Sequence, residues 1–268
     1  MKQVQASAAT EATSEIVVER SDSVTTITIN RPHRKNALTF DNLEFLARTI
    51  ESESERSDVR VIVLTGAGGS FCAGADLAST SSDHDLAPEV GIRAANRIVE
   101  ALLWAPVPVV ARVAGPVAGV GVSIALAADI VVATQEAFFL LAFTRVGLMP
   151  DGGASLLVAA AIGRPRALSL ALRATPLPAP EAAASGLIDR AVPADDLDDA
   201  VQQTVDQFSR GPRRAFALTK HAINAATLDV LGAAMEREVV GQSELLLAND
   251  FREGAASMLA KRAPEFTD

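Results

Sequence analysis

The segment 115–132, GPVAGVGVSIALAADIVV, constrains the fold of this chain more than any other stretch. No charged residue occurs between Arg112 and Asp129, a run of sixteen residues. This run is too short to span a bilayer, and it contains a proline and three glycines. We therefore predict a glycine-rich turn that leads into a short interior helix, followed by a buried strand at 130–133. The free N–H groups at the start of such a helix can hold an anion.

Composition and charge exclude several classes of function. The 268 residues are 49% hydrophobic, with few aromatic side chains and a net charge of −9. Binding to nucleic acid or to an anionic membrane needs clustered lysine and arginine, so we expect neither partner. The lone Cys72 excludes an internal disulfide and a cysteine-based metal site, and we expect it to be a buried small hydrophobe. The spacing of His33, His84 and His221 predicts no metal site.

The chain divides into three parts by pattern. Residues 1–14 are polar and lack the apolar core of a secretion signal, so we expect a disordered tail and a cytoplasmic protein. Over 15–200 the hydrophobic periodicity predicts alternating strands and helices, whereas 201–268 is predicted to be helical throughout. The expected fold class is therefore α/β with a helical C-terminal region.

Local patterns place the main elements. Alternating residues at 16–20 and 24–30 predict a β-hairpin. Thr39 is predicted to be the N-cap of an amphipathic helix over 40–54. Continuous apolar runs at 59–65 and 107–113 predict strands that are covered on both faces. Further helices are predicted at 89–104, 154–162, 164–172, 177–186, 195–209, 213–224, 228–247 and 250–261, and a last strand at 187–192.

Two motifs suggest other functions and carry less weight. VIVLTGAGG follows a strand with glycines, but Phe71 and Ser70 break the G-x-G-x-x-G pattern of dinucleotide-binding proteins in its two frames. GVSIA differs only at its last residue from G-x-S-x-G, the nucleophile elbow of α/β-hydrolases. Asp151 and His221 follow Ser123 in the Ser-Asp-His order of the catalytic triad of those enzymes. Because Ser123 lies in an apolar helix and His221 in the helical tail, a serine hydrolase is the weaker alternative.

A site distributed over three segments accounts for more of the sequence. SFCAGADL at 70–77 and GPVAGVG at 115–121 are glycine-flanked loops that each follow a predicted buried strand. Two such loops can each direct one backbone N–H at the same oxygen. LMPDGG at 148–153 places a single carboxylate, Asp151, in a tight turn before a helix. From local pattern alone, an N-cap of the helix at 154–162 is the favoured role for Asp151, with catalysis as the alternative.

These segments, in this order, resemble the crotonase (enoyl-CoA hydratase/isomerase) family. The resemblance runs from about residue 16 and is carried by NRPHRKNAL (30–38), RVIVLTGAGGSFCAGADL (60–77), PVPVVARVAGPVAGVGVSIALAADIVVA (106–133), FTRVGLMPDGGAS (143–155) and FREGAASMLAKRAPEF (251–266). It implies a spiral of ββα units over 15–200 and a C-terminal region that assembles a homotrimer or a dimer of trimers.

The resemblance also implies a substrate and a set of site residues. The substrate is an acyl-CoA thioester, and no separate cofactor is expected because coenzyme A is part of it. The enolate oxygen would be held by the backbone N–H groups of Ala75 and Val120, each worth about 3–4 kcal/mol of barrier. The residues implied to contact the substrate or its CoA part are Arg34, Lys35, Ala73, Asp76, Leu77, Ser123, Phe143 and Lys261.

The sequence departs from the hydratase pattern at two positions. Hydratases of this family use two glutamates, which would fall here on Ser123 and Phe143. Asp151 instead matches the catalytic aspartate of dienoyl-CoA isomerases, of an aryl-CoA dehalogenase and of isomerases that act in phenylacetyl-CoA degradation. We therefore expect an isomerase that shifts a double bond, with Asp151 as the proton carrier. The alternatives are a hydratase that uses Asp151 and a water held by Ser123, and a CoA-binding paralogue without chemistry. Residues 80–85 and the helix predicted at 89–104 are expected to line the acyl pocket.

Overall fold

The computed structural model describes residues 11–13, 15–77 and 87–268, and ten strands of this part form two sheets. The larger sheet has the order β1-β2-β3-β4-β5-β7-β10. The smaller has the order β6-β8-β9. The strands are β1 Glu11–Thr13, β2 Ile16–Ser21, β3 Val24–Ile29, β4 Val61–Gly66, β5 Val109–Val113, β6 Pro116–Ala118, β7 Ile130–Thr134, β8 Phe138–Leu140, β9 Leu177–Pro178 and β10 Arg190–Val192.

The predicted hairpin is confirmed as β2 and β3, which pair antiparallel, and β3, β4, β5, β7 and β10 continue the sheet in parallel. All six residues of β4 are buried. Ile62 and Leu64 face the main core, whereas Val61 and Val63 face a second cluster. The prediction of a strand covered on both faces is therefore confirmed, and it explains why this strand is apolar at consecutive positions rather than alternating.

Ten α-helices lie in the described part of the chain. They are α1 Phe40–Glu55, α2 Pro88–Trp104, α3 Val120–Leu126, α4 Ala154–Ile162, α5 Arg164–Arg173, α6 Ala179–Ser185, α7 Leu197–Arg210, α8 Arg213–Thr227, α9 Leu231–Leu247 and α10 Asn249–Leu259. The predicted cap of α1 is confirmed, since the Thr39 hydroxyl accepts from the Asn42 N–H while the Asn42 side chain accepts from the Thr39 N–H.

Three features of the fold differ from the sequence predictions. Glu11–Thr13 pair with β2 as a strand, although the pattern assigned residues 1–14 to a disordered tail. The loop predicted at 115–121 contains β6, which pairs with β8. Only Arg190–Val192 of the strand predicted at 187–192 pair with β7. The first two differences arise from pairing with a partner strand that the short local pattern does not reveal.

The C-terminal helices pack back onto the sheet and helices that precede them. The second core cluster joins α7 to one face of the sheet through Leu197, Val201 and Val205. The α9 helix lies against α2, and an ion pair of 2.8 Å between Arg93 and Glu236 links the two at the surface. No helix in the described ranges is both long enough and apolar enough to cross a membrane.

Candidate active site

Two glycine-containing segments meet at one end of the parallel sheet. The segment at 71–75 runs beside β6, because the Phe71 N–H donates to the Pro116 carbonyl (3.2 Å) and the Ala118 N–H donates to the Cys72 carbonyl (2.9 Å). Gly74 has φ of +103°, and a Cβ there would lie 3.1 Å from the Ala118 carbonyl oxygen. The two backbones are thus in direct contact immediately before the residues predicted to supply the two N–H donors.

Both predicted donors have an N–H with no protein partner in the described part of the chain. Val120 is the first residue of α3, so its N–H has no intrahelical acceptor. Ala75 pairs with Leu38 in a parallel bridge whose bonds run through Gly74 and Asp76, so the Ala75 N–H points away from Leu38. Both residues line the same cavity.

This cavity has a volume of about 820 Å³ and a mostly apolar wall. Its wall is formed by Leu38, Phe40, Leu43, Ala75, Leu77, Ala87, Pro88, Gly91, Ile92, Ala95, Val120, Leu148, Asp151, Gln242, Leu246, Leu247, Phe251, Arg252, Ala255, Ala256 and Leu259. Among these described residues Asp151 is the one carboxylate and Arg252 the one cation. A site of this size and character suits a largely apolar small molecule with a reactive polar group.

The Asp151 carboxylate is buried at the wall of the cavity. Its Oδ2 accepts a hydrogen bond of 3.0 Å from the Gln242 Nε2, and its Oδ1 is buried with no hydrogen-bond partner. Burial raises the pKa of Asp151 to about 7, and the nearby charge of Glu238 acts in the same direction, while the bond from Gln242 opposes them. A carboxyl group with such a pKa can both accept and return a proton near neutral pH.

The turn that carries Asp151 is fixed against α3. The Ser123 hydroxyl donates to the Asp151 carbonyl over 2.7 Å. Gly152 has φ of +63°, and a Cβ there would lie 2.9 Å from the Ser123 Cβ. A larger residue at either position would displace the turn, which makes a glutamate at position 123 incompatible with the present packing.

The prediction that Asp151 is an N-cap is wrong, because Gly153 precedes α4 and no side chain of the turn caps it. Glu238 of α9 takes that role from a distance in sequence. Its Oε2 accepts from the Gly153 N–H at 2.7 Å, and its Oε1 accepts from the Ser155 N–H at 2.9 Å. The Asp151 carboxylate is therefore not used as a cap, and Asp151 lines the cavity.

The contributions of Glu238 and Gln242 are absent from the sequence interpretation. Both are almost fully buried, with 1% and 2% exposure. A usable signal exists, because they continue the spacing of Leu231 and Met235, the buried apolar positions of α9. Polar residues at core positions of a helix need buried partners, so this pattern indicates a polar site beneath α9.

Not all of the predicted substrate contacts line the cavity. Leu77 does, but Ala73 and Asp76 do not, and the Asp76 carboxylate is buried in an ion pair of 3.1 Å with Arg31. Ser123 is fully buried and Phe143 nearly so, and both lie outside the cavity wall. The side chains of the three predicted cations are exposed and also lie outside the wall, namely Arg34, Lys35 and Lys261. Of the segments that were expected to line the acyl pocket, residues 80–85 lie outside the described residues, whereas the helix after them lines the cavity through Pro88, Gly91, Ile92 and Ala95.

The geometry excludes the serine hydrolase alternative. The Ser123 hydroxyl donates to a backbone carbonyl rather than to a histidine, and the His221 ring packs against Trp104 with 5.2 Å between ring centroids. Cys72 is fully buried, as expected, and burial raises the pKa of its thiol to about 12. No group of metal-ligating side chains lies within the described ranges, whereas His84 is outside them.

The sheet, the covering helices and the two converging loops define a crotonase fold. Residues 19–268 match the model of the enoyl-CoA hydratase/isomerase family, and the chain belongs to this family. The crystal structure of an enoyl-CoA hydratase from Mycobacterium avium subsp. paratuberculosis is similar, with a TM-score of 0.89 and 47% identity over 95% of this chain and 99% of that one.

Curated relatives include both hydratases and isomerases. A probable enoyl-CoA hydratase of Rhodobacter capsulatus is 39% identical over 249 residues, which cover 93% of this chain and 96% of the relative. The 1,2-epoxyphenylacetyl-CoA isomerase of Escherichia coli is 37% identical over 248 residues, which cover 91% of this chain and 95% of the relative. These likenesses establish the family but do not distinguish hydration from isomerisation.

The elevated pKa of Asp151 predicts a pH-dependent effect on stability. Between pH 3.8 and about 7 the carboxyl is protonated in the folded state and ionised in the unfolded state. The free energy of unfolding therefore falls as pH rises through this window. Asp151→Asn removes the effect, so the variant should melt at a higher temperature than the wild type at pH 8. The difference should shrink as the pH is lowered towards 4. Thermal unfolding of both proteins from pH 4 to pH 8 measures this difference in melting temperature. A difference that stays constant with pH would contradict an elevated pKa of the buried Asp151 carboxyl.

Proposed function

We propose that the protein is an isomerase that moves the double bond of an enoyl-CoA thioester by proton transfer. The observation that carries this proposal is that Asp151, whose buried Oδ1 has no hydrogen-bond partner, lines the same cavity as Ala75 and Val120, whose N–H groups are unpaired within the described chain. A double-bond shift needs one group that removes a proton and returns it to another carbon, together with donors that stabilise the enolate. The site offers one candidate for each task.

The proposed reaction has two proton transfers. Asp151 removes a proton from the α carbon of a 3-enoyl thioester, and the electron pair moves onto the thioester oxygen to form a dienolate. The N–H groups of Ala75 and Val120 bind this oxygen while it carries the negative charge. The protonated Asp151 then delivers the proton to the γ carbon, the dienolate collapses to a conjugated 2-enoyl thioester, and the carboxylate is regenerated.

Hydration by a pair of carboxylates has less support in this site. The positions that carry glutamates in hydratases of the family are Ser123 and Phe143, and neither lines the cavity. The Ser123 hydroxyl is already engaged with the Asp151 carbonyl, which leaves it unsuited to holding a water for attack. A hydratase that uses Asp151 with a different water site is the second candidate, and the name of the Rhodobacter relative favours it.

Exposed apolar side chains support the proposed assembly into a trimer or a dimer of trimers. Several large hydrophobic residues outside the cavity wall are more than half exposed in the single chain, namely Leu172, Leu218, Ile223, Val240 and Met258. Burial of such residues between subunits is favourable. The proposed substrate partner is an acyl-CoA thioester, whose apolar chain suits the lining of the cavity.

Substrate turnover separates the two candidate reactions. We expect the protein to convert a 3-enoyl-CoA into the conjugated 2-enoyl-CoA, which is followed as a gain of conjugated-thioester absorbance. Crotonyl-CoA supplied alone should keep its absorbance, because hydration is not expected. Loss of crotonyl-CoA absorbance without conversion of 3-enoyl-CoA would favour the hydratase. Binding of acyl-CoA without turnover of a panel of enoyl, dienoyl and epoxy thioesters would indicate a non-catalytic paralogue.

A further inference from the structure

Helix α9 contacts the turn that carries Asp151 through two buried side chains one helical turn apart. The Gln242 Oε1 accepts from the Met149 N–H at 3.0 Å, while its Nε2 donates to the Asp151 Oδ2 at 3.0 Å. Because a backbone N–H can only donate, the oxygen of the amide must face Met149. The orientation of the Gln242 amide is therefore fixed, and its nitrogen must face the carboxylate.

Glu238 fixes the other end of the same turn. Its two oxygens accept the N–H groups of Gly153 and Ser155, so α9 holds backbone donors on both sides of Asp151. Removing either side chain would leave buried donors without partners. The position of the carboxylate thus depends on a helix about ninety residues further along the chain.

We propose that Gln242 and Glu238 are positioning residues for Asp151, and that they leave Oδ1 as the carboxylate oxygen that exchanges protons with the acyl chain. This inference rests on the proposed function for the identity of the base. Its geometric basis is separate, since Asp151 lines the cavity, its Oδ2 accepts the hydrogen bond from Gln242, and its Oδ1 is buried with no hydrogen-bond partner among the described residues. A base with one available oxygen presents its proton at one place, which suits transfer between two carbons of the same chain.

The two positioning residues act on the charge of Asp151 in opposite directions. The hydrogen bond from Gln242 stabilises the ionised form and lowers the pKa of Asp151, whereas the charge of Glu238 raises it. From α10, Arg252 is the other charged residue in the cavity wall of the described chain. From α3, Ser123 contributes a hydroxyl that contacts the carbonyl and not the carboxylate.

Opposite shifts of the pH profile test this assignment. Gln242→Met keeps the length of the side chain and removes the hydrogen bond, so the acidic limb of kcat/KM should move to higher pH by roughly one unit. Glu238→Gln removes the charge and keeps an acceptor, so the same limb should move to lower pH. A loss of structure alone cannot move the acidic limbs of the two variants in opposite directions. Equal loss of activity at every pH in both variants would overturn the proposal.

A second pair of variants guards against misfolding as the explanation. Gln242→Glu keeps an acceptor for the Met149 N–H but brings a second carboxyl to Asp151, so the limb should move to higher pH by at least as much as in Gln242→Met. Glu244→Gln, on the exposed side of α9, is the matched control and should leave the wild-type profile unchanged. A shifted profile in Glu244→Gln would overturn the assignment to the two buried residues.

Titration of the Asp151 carboxyl itself separates this inference from the proposed function. Nuclear magnetic resonance of isotope-labelled aspartate, assigned with Asp151→Asn, gives its pKa without any turnover. Opposite pKa shifts in Gln242→Met and Glu238→Gln, without conversion of 3-enoyl-CoA, would contradict the proposed function and support the control by α9. An unchanged carboxyl pKa in both variants, with the enzyme active, would overturn the control by α9 and leave the proposed function standing.

Discussion

Asp151→Asn is expected to lower kcat for the 3-enoyl-CoA shift by about 10²–10⁴-fold, the usual contribution of a positioned acid–base group. Asparagine keeps the size of the side chain and can still accept the hydrogen bond from Gln242. It cannot take a proton from carbon, so the loss falls on the chemical step. We expect KM to change little, because the cavity wall and both N–H donors remain.

The control for this variant is the same substitution on the surface. Asp199 lies exposed on α7, and Asp199→Asn should keep wild-type turnover. Kinetics of both variants with a 3-enoyl-CoA provide the comparison. Activity of Asp151→Asn within a few-fold of the wild type would show that another group carries the proton.

Val120→Pro is expected to lower kcat/KM by about 10²–10³-fold, because proline has no N–H and one of the two oxyanion donors disappears. The position suits this test unusually well. Proline is accepted at the first residue of a helix, where its missing N–H breaks no helical bond. The preceding Gly119 has no Cβ to clash with the proline ring.

Val120→Ala is the matched control, since it shortens the buried side chain and keeps the N–H. It should lose some stability through the lost packing and retain most of the activity. Kinetics and thermal unfolding of both variants separate packing from hydrogen bonding. Equal activity of the proline and alanine variants would contradict the role of this N–H.

Most of the fold was predictable because its signals are local. Neighbouring residues alone predicted the Thr39 cap, the alternating hairpin and the continuous apolar strand β4, and all three are confirmed. The strand β6 was not predictable, because Pro116–Ala118 is three residues long and its partner β8 lies about twenty residues away. Short strands are specified by what they pair with more than by their own composition.

In the site, too, features with a local sequence signal were predictable, whereas those that depend on distant partners were not. The converging N–H groups and the Asp151 turn were predicted from glycine spacing and family resemblance, and the structure brings them to one cavity. Local pattern alone favoured Asp151 as the cap of α4, because a nearby carboxylate is the usual solution. The structure uses Glu238 instead, from 85 residues along the chain, and such a partner has no local signature. Asp76 likewise forms an ion pair with Arg31 and does not line the cavity, and the local sequence does not reveal this partner.

The most direct test of the central claim, that this site moves a proton rather than adding water, is the mass of the product. A 3-enoyl-CoA would be incubated with the enzyme in ¹⁸O-labelled water. The thioesters would then be separated, and their masses would be measured by mass spectrometry. We predict a conjugated 2-enoyl-CoA with the same oxygen content as the substrate and no label. A 3-hydroxyacyl-CoA that carries the heavy oxygen as the main product would contradict the account.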